Sequence, residues 1–262
     1  MKKLSHKIYF GLIMAFLYAP LVYLIAYSFN DGKTSVWKGF TFRWYEALFN
    51  DAQIMESLYN SLLIAFLASL FATILGTMAA IGIHNFRGGF RSAVQNVSNI
   101  PIISPEIVTG VSLMLLFTFA GTMLGFEMGF TTVLLAHIGF CTPYVILNVT
   151  PRLRRMDNSI YEAALDLGCS PVKAFFKVVL PEIMPGIFSG MLISFTYSLD
   201  DFVITYFTRG SQFQTLPIQI YTMTHQRINP KANALSALLF VTILVILVLI
   251  NIKGNKEEKK AH

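Results

Sequence analysis

Apolar residues along this chain gather into six long segments, which shorter polar stretches separate. A helix needs roughly 20 residues to cross the hydrocarbon core of a bilayer. Each segment reaches that length, and a helix bonds its backbone groups within the segment, as a bilayer requires. We therefore predict an all-α membrane protein with six transmembrane helices, near residues 8–29, 58–83, 93–119, 130–149, 183–207 and 233–252.

One polar stretch, residues 157–186, carries helix signals of its own. Ser159 and Glu162 have the spacing of a capping box, in which each side chain satisfies a free N–H group of the first turn. The apolar residues of this helix recur at helical spacing and include two alanines, so their shared face has low relief. They are Ile160, Ala163, Ala164 and Leu167. Gly168 provides the left-handed residue that ends the helix.

A second short helix is predicted directly after the first. Ser170 is its N-cap and Pro171 its first residue, because the fixed backbone angle of proline suits the first helical turn. Pro181 and Pro185 are expected to end it. Residues 157–186 should thus form two short helices at an angle beside the membrane, with a small-residue face turned to a partner outside the chain.

Composition agrees with a membrane protein and indicates its orientation. Of the 262 residues, 55% are hydrophobic and 13% are charged, and the mean hydropathy is +0.60. A soluble domain could not cover its surface with so few charges. The net charge of +6 could suggest nucleic acid, but the basic residues lie in short loops between apolar segments, which indicates positive-inside topology instead. We expect membrane lipid as a partner and no nucleic acid, with both termini and residues 157–186 in the cytoplasm.

The first apolar segment is interpreted as a retained span, although an uncleaved signal anchor would look the same. Cys141 lies in an apolar segment and Cys169 in a polar one, so neither a disulfide nor a metal centre is predicted. His84 and His137 lack a paired acid in the sequence and are interpreted as packing or interfacial histidines. Four glycines are most simply sites where helices pack closely, namely Gly76, Gly82, Gly110 and Gly190.

The fifth span contains two adjacent acids at a depth where a carboxylate needs water, a partner or a cation. Asp200 and Asp201 lie in its outer third if the helix is continuous. Adjacent helical residues point about 100° apart, so the two acids cannot share one wall of a pocket equally. Tyr197 can flank either acid, and a polar stripe runs through Ser194, Tyr197, Ser198 and Asp201.

The third span contains Glu106 immediately after two prolines, Pro101 and Pro105. Prolines at this spacing break or kink a helix and free carbonyl groups that need other partners. A broken helix with a carboxylate at its break is a plausible cation site near the middle of the membrane.

These acids also have a structural interpretation. Asp200 or Asp201 could cap a re-entrant turn, and Glu106 could cap the helix that restarts after Pro105. The outer segment 30–57 leaves a similar choice, because Trp44 and Tyr45 either anchor the chain at the headgroup level or face a vestibule and contact a cationic solute or a docking protein. A second outer segment, residues 209–231, is expected to be a folded loop with a short helix.

From Glu162 onward the residues resemble the EAA loop of the permease subunits of bacterial ABC importers. That loop reads EAA, three residues, G, nine residues, I, one residue, LP, and Val178 stands here in place of the isoleucine. The resemblance implies that the loop docks into a groove of a cytoplasmic ATPase. The residues that match its motif are Glu162, Ala163, Ala164, Gly168, Leu180 and Pro181.

Nearly the whole chain resembles the spermidine/putrescine permeases of the PotC type. The clearest stretches are FTFRWYEALF, ISPEIVTGVSLM, SFTYSLDDFVITYF, TLPIQIYTM and INPKANALSAL. The resemblance implies the type I ABC importer permease fold, in the bacterial inner membrane. It divides the chain into a first helix with an outer aromatic segment (1–57), a five-helix transporter domain that includes the loop 157–186 (58–252), and a charged cytoplasmic tail (253–262).

Several partners follow from the same resemblance. They are a second permease subunit (PotB-like), two ATPase subunits (PotA-like) and an external polyamine-binding protein (PotD-like). ATP and magnesium would bind to the ATPase, so no cofactor and no catalytic residue are expected in this chain.

The implied function is that of a permease subunit in an ATP-driven polyamine importer. Polyamines carry two or more positive charges, and the residues expected along their path are Glu106, Asp200, Asp201, Tyr197, Ser198 and Trp44. Two alternatives stay open: a permease for another small solute, and a secondary cation transporter, which would not need the EAA loop. An intramembrane enzyme would need a nucleophile with a base, or a metal cluster, and no such residues fall at a useful helical spacing.

Overall fold

The computed structural model describes residues 2–32, 36–86, 88–226 and 230–258, and helices account for most of these residues. They are α1 (Lys2–Ser28), α2 (Arg43–Phe49), α3 (Ala52–Asn85), α4 (Gly88–Ile103), α5 (Glu106–Leu124), α6 (Phe130–Arg155), α7 (Asn158–Asp166), α8 (Pro171–Ala174), α9 (Leu180–Asp200), α10 (Val203–Thr208), α11 (Leu216–Gln226) and α12 (Pro230–Glu258). Within the described ranges the β structure consists of one isolated bridge, between Asn30 and Phe40. The predicted all-α fold is confirmed. Arg87 and the end of the charged tail, residues 259–262, lie outside the described residues.

Five helical stretches of the described chain are long and apolar enough to cross a membrane. They are His6–Ser28, Ala52–Asn85, Glu106–Leu124, Phe130–Arg155 and Pro171–Asp200. The predicted sixth span falls on α12, whose apolar part, Pro230–Val245, is shorter. The predicted short helix of the second outer segment is α11.

Two predicted spans are interrupted. In the third, α4 ends at Ile103 and Pro105 is the N-cap of α5, because the residue before a proline avoids helical backbone angles. Pro101 lies inside α4 and does not break it. In the fifth, Asp201 adopts an extended conformation (ψ 125°) after the last residue of α9. The helix over residues 183–207 is therefore not continuous, so the condition under which the depth of the two acids was predicted is not met.

The polar stretch 157–186 starts with a different cap from the predicted one. The N-cap of α7 is Asp157, whose Oδ1 atom accepts a hydrogen bond from the Ser159 backbone N–H at 2.9 Å. The prediction of a capping box at Ser159 and Glu162 is therefore wrong, because the N-cap lies two residues before Ser159. Gly168 does take the left-handed conformation (φ 85°), and Ser170 caps α8 by accepting from the Lys173 N–H at 3.4 Å.

The second helix of this stretch does not end at Pro181. A π-turn over Phe175–Val179 joins α8 to α9, so that helical structure continues from Pro171 to Asp200. The prediction that Pro181 and Pro185 stop this helix is wrong. The wider π-turn displaces the carbonyl group that the proline ring would strike in a regular helix.

The chain forms two compact units, residues 1–58 with 218–262, and residues 59–217. In the first unit α12 packs against α1 and α2. Asn30 organises the loop between α1 and α2, since its Oδ1 atom accepts from the N–H groups of Gly32 and Lys38 at 3.1 and 2.9 Å.

In the second unit the principal helix pair is α6 and α9, while α10 packs against α5 and α6. The core between α6 and α9 contains Val145, Val149 and Ile183, all fully buried. This core lies at the start of α9, and the acidic residues lie at the other end of the same helix.

Candidate functional site

The two helix interruptions of the second unit open onto one cavity of about 310 Å³. Glu106 begins α5 and Asp200 ends α9, so each break places a carboxylate at the cavity. The cavity is lined by Pro101, Ile102, Ser104, Glu106, Thr109, Phe140, Tyr144, Tyr197, Asp200, Asp201, Phe202, Val203 and Ile204. Four predicted path residues therefore meet here: Glu106, Tyr197, Asp200 and Asp201.

Glu106 lies in the first turn of α5 and its side chain is exposed. The N-terminus of a helix carries a partial positive charge, which stabilises a carboxylate. The N-cap of α5 is Pro105 and not Glu106, so the interpretation of Glu106 as a helix cap is wrong, although its place in the first turn suits a carboxylate.

The adjacent acids have different environments. Both line the cavity, but Asp200 is exposed, whereas the side chain of Asp201 is only 7% exposed. The Oδ2 atom of Asp201 accepts from the backbone N–H and from the hydroxyl group of Thr205, both at 2.8 Å. The Ile204 N–H donates to Oδ1 at 3.3 Å. Asp201 therefore caps α10, as the structural interpretation of this residue proposed.

His137 has a paired acid that the sequence did not reveal. Its Nε2 atom lies 3.3 Å from Asp201 Oδ2 and 2.9 Å from the Thr205 hydroxyl oxygen. Its Nδ1 atom lies 2.7 Å from the Ser198 hydroxyl oxygen. The spacing of residues along the chain does not indicate that these side chains meet, because His137 lies in α6 and its partners lie in or between α9 and α10.

The predicted polar stripe on α9 is mostly buried against α6. Ser198 bonds to His137 and does not line the cavity, and the Ser194 hydroxyl group donates to the carbonyl of Cys141 at 3.3 Å. Tyr197 is the exception, since it reaches the cavity and its ring lies 4.6 Å, between centroids, from that of Tyr144. Tyr144 completes an aromatic wall that sequence reasoning missed, because nothing around it in α6 marks it.

Trp44 lies in the other unit and is 8% exposed. Its indole N–H donates to the carbonyl of Asn30 at 2.8 Å, and the Arg43 guanidinium lies over its ring at 4.5 Å. The position of Trp44 is therefore that of a residue that holds the loop between α1 and α2. Tyr45 bonds to Ser28 at 2.6 Å, between the two hydroxyl oxygens, on the same loop.

A second surface of interest lies on α7 and α8, the helices of the polar stretch. The inner side of α7 packs on the core through Tyr161, and Leu180 also packs there. Glu162, Ala163, Gly168 and Pro181 are exposed, and Ala164 is half-buried. Four large apolar side chains are exposed beside them: Ile160, Leu167, Val172 and Phe176. Leu167, at 87%, is the most exposed of these. We name Ile160, Leu167, Val172 and Phe176 the loop surface.

Comparison with known proteins places these features in a family. Residues 72–254 match the model of the binding-protein-dependent transport system inner membrane component. The putrescine transport system permease protein PotI of Escherichia coli K12 is 42% identical over 88% of this chain and 84% of its own. The spermidine/putrescine transport system permease protein PotC of Haemophilus influenzae is 39% identical over 90% of this chain and 91% of its own.

Solved structures show the same fold at lower identity. A bacterial ABC transporter involved in the import of the acidic polysaccharide alginate matches with a TM-score of 0.71 and 18% identity, over 97% of this chain and 95% of that one. The MetNI methionine ABC transporter matches with a TM-score of 0.62, over 81% of this chain and 99% of that one. The predicted type I ABC importer permease fold is therefore confirmed. The chain belongs to the family of binding-protein-dependent transport system inner membrane components, as a multi-pass permease subunit of the bacterial inner membrane.

Proposed function

We propose that this chain is the permease subunit of an ATP-driven polyamine importer and forms half of its translocation path. The observation that carries the proposal is the cavity at the two helix breaks, where the exposed carboxylates of Glu106 and Asp200 meet the aromatic wall of Tyr144 and Tyr197. The polyamine cargo itself comes from the PotI and PotC relatives.

The chemistry of the cavity suits a flexible polycation. Each carboxylate can pair with one ammonium group of the polyamine, and the methylene chain between the ammonium groups can lie against the tyrosine rings. A cation over an aromatic ring gains about 0.5 to 2 kcal/mol. Several weak contacts of this kind suit transport, since the cargo must leave the site as readily as it enters.

The other predicted path residues take supporting roles in this proposal. Asp201 and Ser198 hold the end of α9 and the start of α10. Trp44 holds the loop between α1 and α2.

The remaining parts of the transporter lie outside this chain. We propose a second, PotB-like permease that supplies the other half of the path, two PotA-like ATPase subunits that bind ATP and magnesium, and a PotD-like external binding protein that delivers the polyamine. No catalytic residue and no cofactor are assigned to this chain.

The loop surface is the proposed contact with the ATPase. An apolar helix face that seats in a groove is a common mode of docking, and the EAA residues Glu162, Ala163, Ala164 and Gly168 lie on the same stretch. From Pro171 to Asp200 the helix is continuous apart from its π-turn, a length of roughly 45 Å at 1.5 Å per residue. A displacement of α8 by the ATPase therefore moves Asp200 at the other end of the same helix.

The test is reconstitution of this chain with the other permease, the ATPase and the binding protein in liposomes. We expect putrescine or spermidine uptake that requires both ATP and the binding protein. Uptake that persists without ATP would indicate a secondary cation transporter, and ATP-dependent uptake of a different cation alone would replace the polyamine as cargo.

A further inference from the structure

The carboxylate of Asp201 is fully engaged by the protein. Two backbone N–H groups and the hydroxyl group of Thr205 donate to it, and His137 Nε2 lies within 3.3 Å. Asp200, one residue earlier, is exposed at the cavity. The two acids therefore differ in what they can offer a cation, although the sequence presents them as equivalent.

The hydrogen bonds determine which nitrogen of His137 carries a proton. Thr205 has one hydroxyl hydrogen, which it donates to Asp201 Oδ2. The same hydroxyl oxygen lies 2.9 Å from His137 Nε2, so it accepts there and Nε2 is the donor. The Ser198 hydroxyl group can donate to Nδ1 or accept from it. The Nε2–H group, which faces Thr205 and Asp201, is required in either case.

This network connects three helices at one point. His137 belongs to α6, Ser198 to α9, and Thr205 to α10, with Asp201 at the break between the last two. Both side chains of the His137–Asp201 pair are almost completely buried, at 2% and 7% exposure. A buried carboxylate that loses a donor is costly, so removal of His137 favours rearrangement of the break itself.

We propose that His137 is a positioning residue that holds Asp201 in the α9–α10 break, so that Asp200 and not Asp201 presents its carboxylate to the cargo. The proposal rests on the proposed function, because it assigns roles within the same cation site. His137 acts on transport through Asp201 and Thr205, without contact with the polyamine.

The first test measures polyamine imported per ATP hydrolysed by the complete reconstituted transporter. A variant that merely folds or assembles poorly lowers polyamine import and ATP hydrolysis together. A variant in which the α9–α10 break is displaced lowers the amount of polyamine imported per ATP hydrolysed. We expect a several-fold fall in the ratio for His137→Leu, and partial recovery for His137→Gln, whose amide can supply the donor that Nε2 provides. Thr205→Val removes the bridging hydroxyl group with little change of shape and provides the same measurement should His137→Leu fail to assemble.

Ser194→Ala is the matched control. It removes a buried hydrogen bond between α6 and α9 at 3.3 Å without touching Asp201, so the ratio should stay at the wild-type value. An equal fall for Ser194→Ala and His137→Leu would overturn the proposal, because any loss of α6–α9 contact would then suffice.

A double-mutant comparison tests the route from His137 through Asp201 to Asp200. Asp201→Asn places an amide N–H₂ group opposite a donor, so it should lower the ratio, and His137→Leu should add little in that background. His137→Leu should also add little in the Asp200→Asn background, because the carboxylate that it would misplace is then already absent. In the Glu106→Gln background, at the other helix break, the effect of His137→Leu should add in full. Full additivity with Asp201→Asn or with Asp200→Asn would overturn the assignment.

Hydrogen exchange at the Ile204 and Thr205 amides distinguishes failure of this proposal from failure of the proposed function. Faster exchange in His137→Leu than in Ser194→Ala is expected whatever the cargo. Exchange in His137→Leu that is no faster than in Ser194→Ala would reject the positioning role. Faster exchange in His137→Leu, together with no polyamine uptake by the wild-type transporter, would reject only the cargo.

Discussion

Gly190 of α9 lies directly against Val145 of α6, so that a Cβ atom on Gly190 would come within 3.0 Å of the Val145 Cα atom. A Cβ atom on Gly76 of α3 would lie 2.6 Å from the Val145 Cβ atom. One buried valine therefore fills the space that two glycines leave, and three helices meet around it. Gly110 has the same role against Phe207, at 2.7 Å. The predicted close packing is confirmed at these three glycines and wrong at Gly82, where a Cβ atom would contact nothing within 4 Å.

Gly76→Ala should destabilise the second unit, because its methyl group would overlap Val145. Overpacking of this kind costs about 1 to 3 kcal/mol. Gly82→Ala is the matched control in the same helix, and it should be neutral or slightly stabilising, because alanine favours a helix by about 0.5 to 1 kcal/mol over glycine. Thermal unfolding of the purified protein in detergent measures both. Equal unfolding temperatures for the two variants would contradict the packing described for Val145.

Neutral amides at the two exposed cavity acids should reduce polyamine transport. Asp200→Asn and Glu106→Gln each remove one charge that faces the cavity, and we expect fewer polyamines imported per ATP for each variant. The spermidine to putrescine ratio should change as well, since the two cargoes differ in charge. Glu127→Gln, at an exposed carboxylate that does not line the cavity, is the control. A loss for Glu127→Gln as large as that for Asp200→Asn would point to a general surface charge effect.

Leu167→Ser should weaken binding of the ATPase while leaving the chain folded. Leu167 is 87% exposed, so the substitution removes little internal packing. Burial of a leucine is worth about 1.5 to 3 kcal/mol, which corresponds to roughly a 10- to 100-fold change in affinity at 1.4 kcal/mol per factor of ten. Co-purification of the ATPase, followed by a titration, measures the loss. Asp166→Ser is the control, because it changes the neighbouring exposed position, which is polar. If Asp166→Ser bound the ATPase as weakly as Leu167→Ser does, the contact would not be an apolar one.

The start of α7 should loosen in acid. The backbone N–H of Ser159 donates to the Asp157 carboxylate and thereby lowers the pKa of that group below its ordinary value. Its contribution to stability is therefore fully present above the unfolded pKa of about 3.9, and it is lost as the pH falls through the lower folded pKa. Amide exchange at Ser159, corrected for the intrinsic rate, should rise in this window. Asp157→Asn keeps an acceptor that does not titrate, so persistence of the same pH dependence in this variant would exclude Asp157 as its origin.

Trp44→Phe should destabilise the loop of the first unit. It removes the 2.8 Å hydrogen bond that the Trp44 indole N–H donates to the Asn30 carbonyl, and the loss of one such bond costs about 0.5 to 1.5 kcal/mol. Trp37→Phe is the control, since Trp37 is 49% exposed. Limited proteolysis within residues 30–42 compares the two. Equal protection in both variants would remove the structural role assigned to Trp44.

Much of the fold could be predicted because the bilayer restricts what an apolar segment can do. Six apolar segments, one glycine in the left-handed conformation at Gly168 and a proline at the start of α8 were all visible as local patterns. The errors lie where a local signal has more than one solution. Pro181 was expected to end a helix, and the π-turn accommodates it instead; Ser159 was expected to cap α7, and Asp157 does so two residues earlier.

The sequence by itself determined the membrane class, the EAA loop and the presence of three costly acids, because each of these depends on residues that are close together in the chain. Only the tertiary structure decided which of the adjacent acids is exposed at the cavity and which is held by donors from other helices. Asp200 and Asp201 are adjacent and chemically identical, and nothing local distinguishes them. The distinction comes from His137 and the break after α9, since a carboxylate's role depends on which donors from other helices reach it and which solvent or cargo it can still meet.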